Sequence, residues 1–506
     1  CGGKGTCGKC KVTVAKPYYK DVLACQTKIC DGMEIIVGRK ESTGTKEDSM
    51  VVLTNGGSIS EKFNEHVNRN VVLKEETANE SEKVESNEDT LAACDIGTTT
   101  VVCYLIDKET GQIISTRSGA NPQRSFGADV LSRIDAAARA DDNDKANGGL
   151  QMMQTQIVSL LNGWISEMLT ECGRTKVSRF SVAGNTVMCH LLMGISPEKL
   201  GKAPFMPDEY FGRAFNPLDI GLENCQAMII FPAVSGFVGG DITAGMMETV
   251  NCNELTLYLD IGTNGEMALG KGDRYVCCAT AAGPAFEGAQ IELGMPAAKG
   301  AVDKVWLEGR RIKYSVIGND RPVGLCGSGL IDALAVLLKA GIIDENGTIL
   351  SGQELPILFR SYVFEVEAEE TAKSTEPSLA VHIAPGVYIT QEDIRKLQLA
   401  KGAIAAGIEV LFKEYGCTPC NIDVLTFAGG FGNYIDKASA AAIGLFPPEL
   451  LDKAKEVGNA AGNGAVSAAL SQEAWERALE ISGNMRYIEL ASYPHFNEMY
   501  VEHMNF

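Results

Sequence analysis

The sequence predicts an α/β protein built on an internally duplicated half-domain, preceded by a cysteine-rich N-terminal domain and an acidic linker. Three observations carry that expectation. Beyond residue 90, apolar strands such as LAACDIG and LTLYLDIG alternate with helix-like stretches. One arrangement also occurs twice. Asp95-Ile96-Gly97-Thr98-Thr99-Thr100 and Asp260-Ile261-Gly262-Thr263-Asn264-Gly265 each follow an apolar strand and lead into a second strand, a polar turn (DKETGQ, KGDR) and a third strand (IISTRS, YVCCAT). Finally, residues 74–90 carry seven acids and two bases, with only Ala78 and Val84 apolar, too little to offset the entropy of ordering. The expected division is a cysteine-dense domain over 1–40, a linker over 41–90, a first half over 91–253 and a second over 254–506.

Bulk properties narrow the function. With 45 Lys+Arg against 65 Asp+Glu, the net charge of −20 repels nucleic acid and anionic membrane surfaces. There is no run of eighteen apolar residues and no signal peptide, so a cytoplasmic protein with no membrane span is expected. Sixteen cysteines scattered through a long acidic chain do not form a secreted disulfide framework, and their clustering suggests metal. The chain starts at Cys rather than Met, which predicts a missing upstream segment.

The opening CGGKGTCGKC contains a near-P-loop, Gly3 to Cys10, with Cys where the Mg²⁺-binding hydroxyl should stand. Gly265 to Gly272 fails in the same way. The repeated turns are better phosphate sites. A strand ending in Asp delivers a carboxylate to orient hydrated Mg²⁺, and the Gly and Thr that follow expose amides and hydroxyls to a polyphosphate. This marks Asp95 with Gly97, Thr98, Thr99 and Thr100, and Asp260 with Gly262, Thr263, Asn264, Gly265 and Glu266. A third element, FAGGFGNYID, sets Gly429, Gly430 and Gly432 after the apolar strand VLTFA, where backbone can approach a flat ligand. GNGAVSAAL adds a glycine turn opening a helix at Gly462, and Thr390 with Asp393 opens a long amphipathic scaffold helix.

DIGTTT, DIGTNGE and FAGGFGN, in this order, resemble the two phosphate motifs and the adenosine motif of the ATPase superfamily of actin, heat-shock chaperones and sugar kinases. NPQRSFGADVLSRI, VAGNTVMCHLLMG, ATAAGPAFEGAQI and GLCGSGLIDALAVLL more narrowly resemble the ATP-dependent reductive activators of corrinoid proteins, over essentially all of 91–506. The resemblance implies a duplicated ribonuclease-H-like (actin/sugar-kinase-like) ATPase, with Asp95 and Asp260 as catalytic carboxylates. It also implies a preceding partial β-grasp 2Fe–2S ferredoxin domain. Cys1-x₅-Cys7-x₂-Cys10 followed by Cys25 is similar to the plant-type pattern C-x₄-C-x₂-C with a distant fourth Cys. Zinc is the competing reading. The first gap is one residue longer than that pattern, the gap to Cys25 is short, and Cys30 rivals Cys25.

Other candidates point to structure. Cys417 and Cys420 are a lone C-x-x-C before a strand, Cys277-Cys278 belong to an apolar strand, Ser328 lacks nucleophile-elbow spacing and a His partner, and His190 reads as a core histidine. The expected activity is reduction of Co(II) to Co(I) on a corrinoid protein, with electrons arriving from an external low-potential donor such as a ferredoxin or flavodoxin. ATP makes up the potential deficit, since each ~59 mV costs tenfold for one electron. Two rivals are a small-molecule kinase with a redox-sensing cluster and an ATP-gated corrinoid-protein binding module. A homodimer is left open.

Overall fold

The computed structural model describes residues 11–16, 20–23, 34–36, 90–139, 148–262, 264–366, 378–429 and 434–506. The cysteines Cys1, Cys7, Cys10 and Cys25, the linker up to residue 89, and Thr263, Gly430 and Gly432 lie outside the described residues. At the N-terminus, strands β1 (Lys11–Lys16), β2 (Lys20–Leu23) and β3 (Glu34–Ile36) form an antiparallel sheet in the order β2-β1-β3.

The predicted duplication is explicit in two six-stranded sheets. In the first half, β4 (Thr90–Ile96), β5 (Thr100–Asp107) and β6 (Ile113–Ala120) make an antiparallel meander. β7 (Arg179–Gly184) joins β4 in parallel, and β8 (Arg213–Phe215) pairs with β9 (Met228–Ile230) at the edge. The order is β6-β5-β4-β7-β9-β8. The second half repeats it. β10 (Thr256–Ile261), β11 (Gly265–Lys271) and β12 (Arg274–Thr280) form the meander. Strands β13 (Ala301–Glu308), β14 (Arg311–Val316), β15 (Gly324–Leu325), β16 (Val363–Val366), β17 (Ser378–Ala384) and β18 (Val387–Thr390) are inserted as two three-stranded sheets. β19 (Val424–Ala428) then pairs parallel to β10, β20 (Ala454–Glu456) follows, and β21 (Met485–Tyr487) closes the β12 edge, giving β20-β19-β10-β11-β12-β21.

Ten α-helices among the described residues cover these sheets: α1 (Val130–Ala138), α2 (Gly149–Glu171), α3 (Thr186–Met193), α4 (Gly240–Thr249), α5 (Gly327–Lys339), α6 (Gln391–Tyr415), α7 (Lys437–Ala442), α8 (Ala460–Leu470), α9 (Gln472–Gly483) and α10 (Phe496–Glu502). The expected capping box is present, with Asp393 N–H donating to Thr390 Oγ1 at 3.1 Å and Thr390 N–H donating to Asp393 Oδ2 at 3.1 Å. The helix expected at Gly462 starts two residues earlier, because Asn459 caps it through Gly462 N–H at 2.8 Å. Among the described residues no helix is long and apolar enough to cross a membrane.

Pleat alternation sets the site. Along β4, Ala92, Cys94 and Ile96 enter the outer core of the first half, whereas Leu91 and Ala93 enter a core shared between the halves. Along β10, Leu257, Leu259 and Ile261 face the outer core of the second half and Tyr258 faces the shared one. A period of two therefore puts Asp95, Asp260 and Glu266 on the inner faces. Helices α4 and α8 fill the layer between. They pack closely enough that a Cβ on Gly464 would lie 2.2 Å from the Ala244 carbonyl oxygen, so bulk is excluded there.

Candidate functional site

The two repeated turns open into one cleft of about 350 Å³ between the halves. Asp95, Gly97, Thr98, Thr99 and Thr100 line one wall, Asp260, Gly262, Asn264 and Glu266 the other, and Gly429 and Tyr434 close the end beyond β19. Gly265 is not at the cleft surface. A Cβ there would sit 2.8 Å from Thr280 Oγ1 and 3.1 Å from Ile404 Cγ1, so packing alone requires glycine at this position. Gly429 lines the cleft. Its φ is +83°, and a Cβ would lie 2.4 Å from Asp260 Oδ1, so only glycine lets the strand end approach the carboxylate.

Both turns are tight. Gly97 N–H donates to the Thr100 carbonyl and Gly262 N–H to the Asn264 carbonyl, each at 2.9 Å, so these two amides are internally satisfied rather than free for a ligand. The carbonyls of the first turn are tied down from behind. Asn121 Nδ2 donates to Gly97 O at 2.8 Å, Asn121 N–H to Thr99 O at 2.9 Å, and the Arg133 guanidinium to Thr98 O. In a trans peptide the N–H points opposite to the preceding C=O, so the amides of Thr98 and Thr99 face away from these buried partners. Asn185 fixes the Thr98 hydroxyl, donating to Oγ1 at 3.0 Å, while its own Oδ1 caps α3. The stretches NPQRSFGADVLSRI and VAGNTVMCHLLMG thus build the back of the first Asp-bearing turn.

Four helices begin at this cleft: α3 behind Asn185, α4 at Asp241, α5 at Gly327 and Ser328, and α8 at Asn459 and Ala461. Their partial positive ends favour an anion. Asp241, which sequence reading missed, stands in the first turn of α4 among the carboxylates. The signal was the Gly239-Gly240-Asp241 run opening a helix. Glycine is required at both positions, since a Cβ at Gly239 would meet Thr186 N at 2.5 Å and one at Gly240 would meet Phe231 Cβ at 2.7 Å.

Desolvation raises the whole acidic group. Asp95 moves from 3.8 to about 7 through burial and the charge of Asp241, against a hydrogen bond from Asn459. Asp260 rises to about 8 through burial and then Asp241 and Asp95. Asp241 rises to about 6 through burial, and burial with Asp241 and Asp260 pushes Glu266 well up. Mutually repelling carboxylates in a cleft call for a cation. Among the described residues, no three acidic, His or Cys side chains are arranged to hold an ion directly. The set suits Mg²⁺ that keeps its waters and binds phosphate oxygens, held by one or two carboxylates.

The remaining candidates have these surroundings. Ser328 Oγ donates to the Asp303 carbonyl at 2.8 Å. His190 is buried, with Nδ1 2.8 Å from the Thr186 carbonyl and an edge-on Phe211. Cys277 and Cys278 are buried in β12, while Cys417 and Cys420 are free thiols.

Family models match both halves: the RACo middle region over residues 91–251 and the C-terminal domain of RACo, the ASKHA domain, over 254–506. The chain belongs to the RACo family. It is 33% identical over 563 aligned positions to the corrinoid activation enzyme RamQ of Eubacterium limosum, covering 99% of this chain and 92% of that protein. It is 25% identical to the [Co(II) methylated amine-specific corrinoid protein] reductase of Methanosarcina barkeri, covering 81% of this chain and 75% of the relative. Among solved structures, a reductive activator for corrinoid, iron–sulfur protein superposes with a TM-score of 0.70 at 30% identity, covering 100% of this chain and 93% of the other. The family carries the duplicated ATPase fold that the sheets display.

Proposed function

We propose that this RACo-family protein is an ATP-dependent reductive activator that returns Co(II) on a corrinoid protein to Co(I). The observation that carries the reading is the convergence of both Asp-bearing turns, Gly429 and four helix N-termini on one cleft between duplicated halves. In this reading ATP lies between Asp95–Thr100 and Asp260–Glu266, its adenosine toward Gly429, Gly430 and Gly432. The amides of Thr98 and Thr99 receive phosphate oxygens, and Asp95, Asp260 and Asp241 accept hydrogen bonds from waters around Mg²⁺. Because the two turns belong to different halves, a nucleotide touching both favours their closed arrangement, and hydrolysis releases it.

A 2Fe–2S cluster held by Cys1, Cys7, Cys10 and Cys25, with Cys30 the alternative fourth ligand, would supply the one-electron reservoir. The spacing of these cysteines in the sequence supports that assignment. Each Co(II) consumes one electron, drawn from an external low-potential ferredoxin or flavodoxin. The chain's own contribution is to couple nucleotide state to the docking of the corrinoid partner.

Asp260→Ala tests the site. The variant should retain the visible spectrum of the wild type while losing Mg²⁺-ATP hydrolysis and ATP-dependent Co(I) formation. Unchanged hydrolysis would remove the second turn from the mechanism.

A further inference from the structure

Arg133 is the largest fully buried side chain among the described residues, with no exposed surface. Its guanidinium meets neutral acceptors only: Nε donates to the Gly127 carbonyl at 3.1 Å, Nη1 lies 3.1 Å from Met188 Sδ, and Nη2 donates to the Thr98 carbonyl. No ion pair is formed with any described residue. The nearby Asp129 carboxylate is taken up by α1, accepting from Ser132 N–H at 2.7 Å and Ser132 Oγ at 2.8 Å, and Arg124 at the cleft mouth adds a like charge. Burial lowers the group to about 10, so it remains a cation at neutral pH.

A buried charge without a counter-ion is costly, and replacing such a group by an apolar one is often neutral or stabilising. Packing alone therefore gives no reason for arginine at this position. The Thr98 carbonyl supplies one. It belongs to the peptide whose N–H, from Thr99, faces the other way at the cleft, so the guanidinium orients and polarises that amide from behind.

We propose that Arg133 is a positioning residue for nucleotide phosphates, fixing the Thr98–Thr99 peptide and giving the phosphate turn a buried positive charge whose counter-ion is the bound polyphosphate. The proposal rests on the reading of the cleft as a nucleotide site. Three consequences follow for binding: the contribution of Arg133 grows with the number of phosphates, is absent for adenosine, and needs charge as well as a donor.

The test is calorimetric titration of the full chain with ATP, ADP and adenosine, in wild type, Arg133→Met, Arg133→Gln and Arg133→Lys. Removing the charge should weaken ATP by roughly tenfold to a hundredfold, the range of a charge-assisted hydrogen bond, with a smaller loss for ADP and less than about twofold for adenosine. Lys should recover much of the ATP affinity. If the Met variant fails to fold, the Gln variant reads out the same ratio while keeping a donor to Thr98. Equal losses for ATP and adenosine, or no loss for either, would overturn the role of Arg133 alone. A wild type that binds none of the three would overturn the nucleotide reading itself, and this proposal with it.

Discussion

Gly429→Ala is the substitution for which the structure predicts the sharpest energetic signature. The new Cβ would impose a left-handed φ of +83° on an L-residue and lie 2.4 Å from Asp260 Oδ1. The backbone part costs about 1–2 kcal/mol and the overpacking about 1–3 kcal/mol. Together these give about 2–5 kcal/mol in the wild-type background. In an Asp260→Ala background the clashing oxygen is gone, so only the backbone cost remains. The coupling between the two changes should therefore be about 1–3 kcal/mol, the size expected of touching groups. Urea unfolding of wild type, both single variants and the double variant measures it, with ATP hydrolysis lost in all three variants. The reasoning is refuted if Gly429→Ala costs the same with and without the Asp260 carboxylate.

Two further outcomes are expected. In protein free of nucleotide and divalent metal, Asp95, Asp241 and Asp260 titrate at about 7, 6 and 8 when folded, against 3.8 ordinarily. The folded state then holds more protons than the unfolded chain, so stability should fall as pH rises from about 4 to about 8, by about 1.4 kcal/mol per pH unit for each proton. Melting in chelator should show that decline, Mg²⁺-ATP should flatten it, and a midpoint that rises with pH in chelator would contradict the raised carboxylates. Cys7→Ser should lose the 2Fe–2S signal in EPR after dithionite and keep ATP binding, because the acidic stretch 74–90 separates the two regions in the sequence. An intact plant-type signal would exclude Cys7 as a ligand.

The two Asp-bearing turns that line the cleft were legible in the sequence for a simple physical reason. An acid at the end of an apolar strand, followed by Gly and hydroxyl or amide residues, has few uses in packing, and Asp95 and Asp260 carried that signal twice. Asp241 carried a weaker one, because an acid in the first turn of a helix is ordinary capping chemistry, and only the fold brings it against the other carboxylates. Gly265 read as part of the turn, and the fold packs it against Thr280 and Ile404, because chain proximity to Gly262 says nothing about which face of β11 a residue occupies. Asn121 and Arg133 lay in a stretch noted only for its resemblance. Their hydrogen bonds to the first turn reach backbone carbonyls more than twenty residues away, and such contacts leave no periodicity to read. The strands β13 to β18 were likewise silent, because many of their residues are half-exposed and do not keep a strict alternation.

The central claim is that nucleotide drives the electron uphill onto cobalt. The most direct measurement follows the absorbance of a Co(II) corrinoid protein mixed with this protein and a low-potential donor, with and without Mg²⁺-ATP. The account predicts that Co(I) accumulates only with nucleotide, and that ATP hydrolysis runs faster with Co(II) partner than with Co(I) partner. Equal Co(I) formation without nucleotide, together with hydrolysis indifferent to the cobalt oxidation state, would contradict it.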